Sequence, residues 1–306
     1  MEHRINAYEG GKNLHSVVAF LDILGFSSAI AEARDQSSED QLLGKLQDAI
    51  REARPYLSDR LNGLDNIKGV WESRFFTDNL VLGIPVFEDA EMELGSSFLM
   101  AGLYQFVLAQ HGFFVRGAIS VGPLFIDENV VFGSGLLEAH EIGVTSARDP
   151  RIVLAPSALK RVQRHLCYYG RLDESPQDYY LLEDVDNQVF VNYLAIPFIE
   201  DGPSAEYWTA LENHKRRIED NLTKYQQQPR IWSKYAWVAG YHNFTCEKIC
   251  ADPSPYRIGP EFLQPSPRLL HEVYQRNGYN LVHKDTGTTV ASWNYRVHFK
   301  RSEKKE

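Results

Sequence analysis

The chain has few residues of the kind that crosslink or anchor a protein. Among its 306 residues are 3 cysteines, Cys167, Cys246 and Cys250, and none of their spacings is CxxC. An odd number of unpaired cysteines argues against a disulfide framework and against a zinc site. We therefore expect free thiols, as in a protein kept in a reducing compartment.

Long apolar runs and an excess of positive charge are also missing. No uninterrupted apolar stretch approaches the roughly 20 residues that cross a bilayer, and the N-terminal MEHRINAYEGGKNLHS lacks the apolar segment of a signal peptide. The net charge of -9 disfavours broad binding of nucleic acid. We expect a cytoplasmic protein with no membrane insertion and no nucleic-acid partner; a local basic pocket for one small anion stays open.

The residues present are those of a well-packed globular chain. Hydrophobic residues make up 43% and charged residues 24%, and 16 Tyr and 16 Phe favour packed sheets. There is no internal repeat or low-complexity linker, but the pattern changes after Asp201. Residues 1–200 are predicted to form one domain, and residues 201–306 a helical extension packed on that domain or on a dimer partner.

The hydrophobic pattern predicts an α+β sheet with helices on one face. The predicted elements are a strand at Ser16–Asp22, a helix from Ser37 to Leu61 capped by Ser37 or Ser38, a hairpin turning at Thr77–Asn79, a helix at Ala90–Gln110, and further strands and a helix up to Pro156. Two long amphipathic helices follow Asp201, then a helix at Pro267–Arg276 and a strand in TTVASWNYRVHF.

Two aspartates stand where this arrangement would bring them together. Asp22 ends the first strand, and Asp78 lies in the turn of the hairpin. Each alone fits a structural role, as a cap or a turn residue. Together they indicate a site for a divalent cation, because two close carboxylates repel each other and oxygen ligands suit Mg²⁺ or Mn²⁺. The backbone carbonyl of Ile23 is a candidate third ligand, in an arrangement used for two-metal phosphoryl chemistry.

Four segments between Ser16 and Ala155, FLDILGF, RFFTDN, VRGAISVG and VFGSGLLEAHEIG, resemble in order and spacing the blocks of the class III nucleotide cyclase catalytic domain. VRGAIS, PRIVL and KYAWVAGYHN are further similar to the bacterial pyrimidine cyclases of the Pycsar antiphage defence system. The resemblance implies a ferredoxin-like palm. It also implies that Asp22 and Asp78 are catalytic and hold two Mn²⁺ or Mg²⁺ ions per site.

The resemblance also assigns the base pocket. The base-selecting position lies four residues before the second aspartate, and here it is Arg74. An arginine offers only donors and suits the carbonyl groups of a pyrimidine such as uracil. Phe20 lies on the same strand face as Asp22 and could line this pocket. The alternatives are that Arg74 pairs with Glu72 and that Phe20 belongs to the core.

Three positions depart from the family pattern. Val130 replaces a purine-reading residue, Leu137 the ribose-orienting Asn, and Glu141 the Arg that stabilises the transition state. Purine recognition is therefore disfavoured, and another cation must act in place of the arginine. The sequence offers Arg116, Arg148, Arg151 and Lys160 without choosing among them, and Arg116 could instead pair with Glu138. His140 is read as a structural residue.

By this resemblance, the expected activity is that of a lyase, a uridylate cyclase that converts UTP to 3′,5′-cyclic UMP and pyrophosphate. The expected assembly is a head-to-tail homodimer with composite sites. The cyclic nucleotide is expected to activate a separate effector that forms no stable complex with the enzyme. CTP with cyclic CMP is the alternative substrate and product. A degenerate nucleotide sensor, favoured by Leu137 and Glu141, and a different palm-fold enzyme are the alternative functions.

Overall fold

The computed structural model describes residues 7–8, 10–57, 71–259 and 266–293. Its strands are β1 (Leu14–Ile23), β2 (Glu72–Phe76), β3 (Asn79–Pro85), β4 (Val115–Ile126), β5 (Val131–Phe132), β6 (Ile152–Leu154), β7 (Leu181–Glu183), β8 (Val189–Val191), β9 (Arg268–Leu269), β10 (Tyr274–Asn277), β11 (Asn280–His283) and β12 (Thr289–Ser292). Its α-helices are α1 (Phe26–Glu32), α2 (Gln36–Ala53), α3 (Glu91–Gln110), α4 (Ser134–Thr145), α5 (Pro156–Leu166), α6 (Pro176–Tyr180), α7 (Ile196–Asp201), α8 (Ala205–Lys224), α9 (Pro229–Ile249) and α10 (Leu270–Val273).

The first four long strands form a ferredoxin-like palm. β1 is the central strand, buried on both faces from Ser16 to Leu21, and it pairs antiparallel with β3 on one side and β4 on the other. β2 completes the order β2-β3-β1-β4, with α2 and α3 as the two connections. This is the split βαβ arrangement, so the predicted α+β palm is confirmed.

Alternate residues of the strands point to two separate cores. Val17, Ala19 and Leu21 of β1 share one core with α2, α3 and α5, whereas Val18 and Phe20 face α4. Helices on one face were expected, and the palm's own connections do lie there. The opposite face is also covered, by α4 and by α8 and α9, because Ala118, Val153 and Phe190 need burial as well.

Helix α3 is long and apolar enough to cross a membrane by length and composition. However, 78% of its most apolar window is buried inside the structure, where Leu94, Phe98 and Leu108 pack into the core shared with β1. α3 is therefore a buried helix of the core shared with β1.

The chain after Asp201 joins the same sheet. β6, β8, β7 and β9 extend it beyond β4, and β9 lies after the long helices. α8 and α9 pack as a pair whose Leu211, Tyr235 and Val238 share a core with Phe190 of β8. The helical extension is thus packed on the sheet of its own chain, and the division at residue 200 stays a prediction.

Several local expectations differ from the structure. Asp35, not Ser37 or Ser38, caps α2, because its carboxylate accepts a hydrogen bond from the Ser38 amide at 2.8 Å. The helix expected at Pro267–Arg276 is instead β9, the short α10 and β10, since β9 is drawn into pairing with β7. Residues 58–61 of the first predicted helix, and 294–299 of the last predicted strand, lie outside the described residues. The three cysteines are free.

Candidate active site

Asp22 lies at the C-terminal end of β1, opposite Asn79 of β3 and Arg116 of β4. Its side chain is 22% exposed, and Arg116 Nε donates a hydrogen bond to Asp22 Oδ2 at 3.0 Å. The carboxylate is thus held at the edge between a buried strand and solvent. A ligand can therefore reach the Asp22 carboxylate while Arg116 stays hydrogen-bonded to it.

Asp78 is fixed in the turn between β2 and β3. Thr77 takes a left-handed backbone conformation with φ 53°, which reverses the chain, and its hydroxyl donates to Asp78 Oδ1 at 2.9 Å. Asn79 Nδ2 donates to the same oxygen at 3.2 Å. The amide of Ile23 donates to the Asp78 backbone carbonyl at 3.2 Å, so the turn is tied to the end of β1.

The two carboxyl groups meet. Burial raises the pKa of Asp22; Arg116 opposes this effect, and Asp78 adds to it through charge repulsion and a hydrogen bond between the two side chains. The structure thus brings together the two aspartates that the sequence places 56 residues apart. Their mutual repulsion is the condition that a bound divalent cation relieves.

The donor set fits Mg²⁺ or Mn²⁺ better than zinc. Within the part of the chain that the structure describes, no group of three or more His, Cys, Asp or Glu side chains could hold a metal ion. Mg²⁺ commonly uses one or two carboxylates, with water and substrate phosphates completing its shell. Asp22 and Asp78 fit that pattern, and the Ile23 carbonyl as a further ligand stays a prediction.

Arg74 and Phe20 lie on the same face of the sheet as Asp22. The register aligns Arg74 with Val81, and Val81 with Phe20, so directly opposed residues share a face. Arg74 donates to the Asp127 carbonyl at 2.6 Å, to the Ser73 carbonyl at 2.7 Å and to Glu72 Oε2 at 3.2 Å. The pairing with Glu72 that the sequence left open is therefore present.

Phe20 is 8% exposed and packs in the small core beneath α4. Its ring meets the edge of the His140 ring at 5.0 Å between centroids. Phe20 is thus a core residue beside Asp22, and a role against a base stays a prediction. His140 contacts Phe20 and not the carboxylates, which agrees with its reading as a structural residue.

Glycines allow α4 to lie close against β1 and β4. A Cβ atom on Gly135 would stand 3.0 Å from a Val18 methyl and 3.1 Å from the Gly122 backbone. The glycines of SVGP and FGSG therefore have a packing reason. Close approach leaves Leu137 on the outer side of α4, 69% exposed, and Glu141 is exposed as well.

The four cations offered as a replacement for the missing arginine lie in different places. Arg116 binds Asp22 and not Glu138, whose carboxylate accepts the Ser157 amide. Arg148 lines a pocket of about 600 Å³ that Arg116 also lines. Arg151 is 1% exposed and paired with Asp184 and Asp186. Lys160 is exposed on α5, on the opposite face of the sheet.

Two further cations of this pocket were missed by the sequence reading. Arg230 and Lys234 lie on the first turns of α9 and line the same pocket as Arg116. Burial and the neighbouring Arg116 lower the pKa of Lys234, whereas Asp149 and Asp22 act in the opposite sense. The only signal in the sequence was the i, i+4 spacing of two basic residues, which a solvated helix face shows equally often.

Twelve chains of solved structures are similar to this chain, among them the following two. One is the monomeric guanylyl cyclase domain of the RhoGC fusion protein from the aquatic fungus Blastocladiella emersonii, with 14% identity, 58% of this chain and 95% of that chain covered, and a TM-score of 0.40. The other is a class III adenylyl cyclase-like ATP-binding protein from Pseudomonas aeruginosa, with 13% identity, 49% and 35% covered, and a TM-score of 0.35. The match thus spans about a third of that second protein.

No protein-family model and no curated protein sequence matches the chain. Both TM-scores lie below 0.5, so the two similarities carry no argument about this chain.

Proposed function

We propose that the chain is a nucleotidyl cyclase, a phosphorus–oxygen lyase whose site is built on Asp22 and Asp78. The observation that carries the proposal is the meeting of these two carboxylates at the end of the central strand of a ferredoxin-like palm. A protein that needed only a folded sheet would gain nothing from two repelling carboxylates at this point.

The proposed reaction is intramolecular. The 3′-oxygen of a ribonucleoside triphosphate attacks the α-phosphorus, the bond to the β-phosphate oxygen breaks, and pyrophosphate leaves. A divalent cation, Mn²⁺ or Mg²⁺ and two ions per site in the full assembly, would lower the pKa of the 3′-hydroxyl and stabilise charge on the phosphates. Asp22 and Asp78 would bind the ions, and Arg116 orients the Asp22 carboxylate.

UTP is the proposed substrate and cyclic UMP the product, with CTP and cyclic CMP as the alternative. Arg74 supports a pyrimidine, because its Nη2 has no hydrogen-bond partner among the described residues while Nε and Nη1 are held in place. A fixed guanidinium with free donors is complementary to the carbonyl edge of uracil. It offers no acceptor to the amino group of a purine or of cytosine.

The proposed assembly is a homodimer with composite sites in the cytoplasm. The exposed apolar side chains of α4 and of β5 beside it, Leu137, Val144 and Phe132, support it. The product would be a second messenger for antiphage defence, read by a separate effector without a stable complex. This last step rests on the resemblance of VRGAIS, PRIVL and KYAWVAGYHN to the Pycsar cyclases.

A nucleotide sensor without turnover is the second candidate. Leu137 and Glu141 favour it, since both are exposed on α4 and neither can orient a ribose or neutralise a phosphate as an Asn and an Arg would. A sensor, however, has no chemical need for both Asp22 and Asp78.

The test is to incubate the purified full chain with an equimolar mixture of the four ribonucleoside triphosphates and Mn²⁺, and to identify the products by mass spectrometry. We expect cyclic UMP and pyrophosphate from the wild type, and background levels from Asp22→Ala and Asp78→Ala, because each removes one of two metal ligands. Lys12→Ala is the matched control, since Lys12 is exposed just before the opposite end of β1.

Three results would contradict the proposal. Absence of pyrophosphate release from all four nucleotides would leave the sensor. A linear or dinucleotide product would favour a different palm-fold enzyme. Wild-type turnover in either aspartate variant would refute the metal assignment.

A further inference from the structure

The pocket beside Asp22 is lined by basic groups from three distant segments. Arg116 comes from β4, Arg148 from the loop between α4 and β6, and Arg230 and Lys234 from α9. Its volume of about 600 Å³ is in the range of small-molecule sites. Arg116 links it to the aspartate pair, because Arg116 lines the pocket and its Nε donates a hydrogen bond to Asp22 Oδ2.

Lys234 lies in the walls of two pockets. It also lines a second pocket of about 370 Å³ at the turn between β1 and α1, where Lys45, Arg217 and Lys224 add positive charge. Lys234 is half-buried. It is therefore the basic residue common to both sides of the end of β1.

Most of the basic groups in the first pocket have no carboxylate bound to them. The side chains of Arg148, Arg230 and Lys234 form no hydrogen bond or ion pair within the described ranges, and the two Nη atoms of Arg116 have no hydrogen-bond partner there. Like charges that converge on one cavity repel each other. A polyanion with several oxygens would bind all of them at once.

The acidic residues of the wall are partly neutralised by a buried arginine. Asp184 and Asp186 both accept hydrogen bonds from the buried guanidinium of Arg151, and Trp237 Nε1 donates to Asp184 at 2.7 Å. Arg151 thus offsets one of their two negative charges. Asp149 is the remaining acid, and burial raises the pKa of its carboxyl. The wall therefore does not repel an anion as strongly as its three aspartates suggest.

We propose that Lys234, together with Arg116, Arg148 and Arg230, binds the polyphosphate group of the nucleotide. The identity of the nucleotide rests on the function proposed above; the polyphosphate chemistry rests on the pocket alone. In this assignment α9, from the segment after residue 201, is part of the binding site, and the same chain that holds the aspartates also supplies cations for the phosphates.

The test is calorimetric binding to the full chain without divalent cations and with a chelator, so that no turnover occurs. The two probes are inorganic tripolyphosphate and UTP. We expect Lys234→Ala to weaken both by about tenfold, the loss of one charge-assisted contact, and Lys234→Arg to restore most of the affinity. Lys12→Ala, which removes one exposed positive charge far from the pocket, should bind like the wild type.

The outcomes separate this proposal from the cyclase proposal. Weaker binding of both probes by Lys234→Ala supports it, even where the wild type makes no cyclic nucleotide. Weaker binding of tripolyphosphate alone supports the pocket and assigns it to free polyphosphate. Wild-type affinity for both probes in Lys234→Ala, an equal loss in Lys12→Ala, or no binding of either probe by the wild type would overturn it, even where cyclic UMP is formed.

Discussion

A single aspartate at the end of β1 is held by opposing forces. Asp22 is partly buried, it accepts a hydrogen bond from Arg116, and it faces Asp78. Burial and Asp78 favour the protonated form, whereas Arg116 favours the charged form. The result is a carboxyl group whose pKa is raised, at a place where the proposed chemistry needs it charged and bound to a cation.

This balance predicts how stability depends on pH. Because the folded chain holds the Asp22 proton more tightly than the unfolded chain does, the wild type loses stability as pH rises from about 4 through the raised pKa. Asp22→Asn cannot ionise and escapes this loss. Without divalent cations, we expect the Tm of Asp22→Asn relative to the wild type to increase across this range, as measured by calorimetry.

Added Mn²⁺ should raise the Tm of the wild type and not that of Asp22→Asn, because a ligand that binds the folded state stabilises it. Asp40→Asn, at an exposed position on α2, should follow the wild type in both series. A Tm difference between Asp22→Asn and the wild type that stays constant with pH would contradict the account of Asp22.

At the scale of elements, a buried histidine pair joins α8 to α9. The Tyr193 hydroxyl donates to His214 Nε2 at 2.8 Å, the two Nδ1 atoms of His214 and His242 lie 3.1 Å apart, and His242 Nε2 donates to the Tyr256 carbonyl at 2.9 Å. Each donor meets one acceptor only when both rings are neutral. The helix pair is therefore built around uncharged histidines.

Lowering the pH should destabilise the folded state through this histidine pair. Burial lowers the pKa of His242 to about 4 and that of His214 well below its usual value. The unfolded chain takes up these protons below about pH 6.5 and the folded chain does not, so stability falls between pH 6.5 and 4. Each such histidine contributes a slope of up to about 1.4 kcal/mol per pH unit.

We expect His242→Gln to reduce this slope by about one histidine's share in urea unfolding measured from pH 7 to pH 5. The glutamine amide can still donate to the Tyr256 carbonyl. His140→Gln is the control, because His140 is exposed. A slope equal to the wild type in His242→Gln would show that the pair does not govern acid sensitivity.

The elements that could be predicted from sequence are those with strong local patterns. β1, the hairpin around Asp78 and helix α3 carry unbroken apolar or alternating patterns, and the short turn at Asp78 predicts the pairing of β2 with β3. The cap of α2 was misplaced because Asp35, Ser37 and Ser38 are all good caps. The segment around β9 was misread as a helix because its pairing with β7 is a contact over more than 80 residues.

The two aspartates of the candidate site could likewise be predicted from local sequence patterns. Asp22 and Asp78 follow from a strand end and a turn in neighbouring strands. Lys234 does not, because α9 reaches Asp22 only through packing of α8 and α9 on β4, β6 and β8. Long-range packing of this kind leaves no periodic signal in the sequence.

At the scale of the whole molecule, exposed apolar side chains gather at α4 and β5. Leu137 and Val144 are seven residues apart and so lie on one face of α4, with exposures of 69% and 50%, and Phe132 of β5 is 63% exposed. Large apolar groups in such positions mark contacts with a partner. This surface is where we place the homodimer contact.

Leu137→Asp should therefore shift the protein from dimer to monomer in light scattering after size-exclusion chromatography, because burying a charge against an apolar surface is unfavourable. Cyclic nucleotide formation should fall with it. Tyr279→Asp is the control, since Tyr279 is 63% exposed in the turn between β10 and β11. A wild-type chain that is monomeric at all concentrations would contradict the dimer.

The position of α8 and α9 limits how this chain can be divided. They cover Val153 and Phe190, which are fully buried. β9 pairs with β7 at the edge of the sheet farthest from β2. A fragment ending at Asp201 would leave this apolar face bare and would be expected to aggregate. The palm therefore cannot be separated from the segment after Asp201: Asp22 and Asp78 come from the first part of the chain, and the helices that cover the sheet, α8 and α9, come from that later segment.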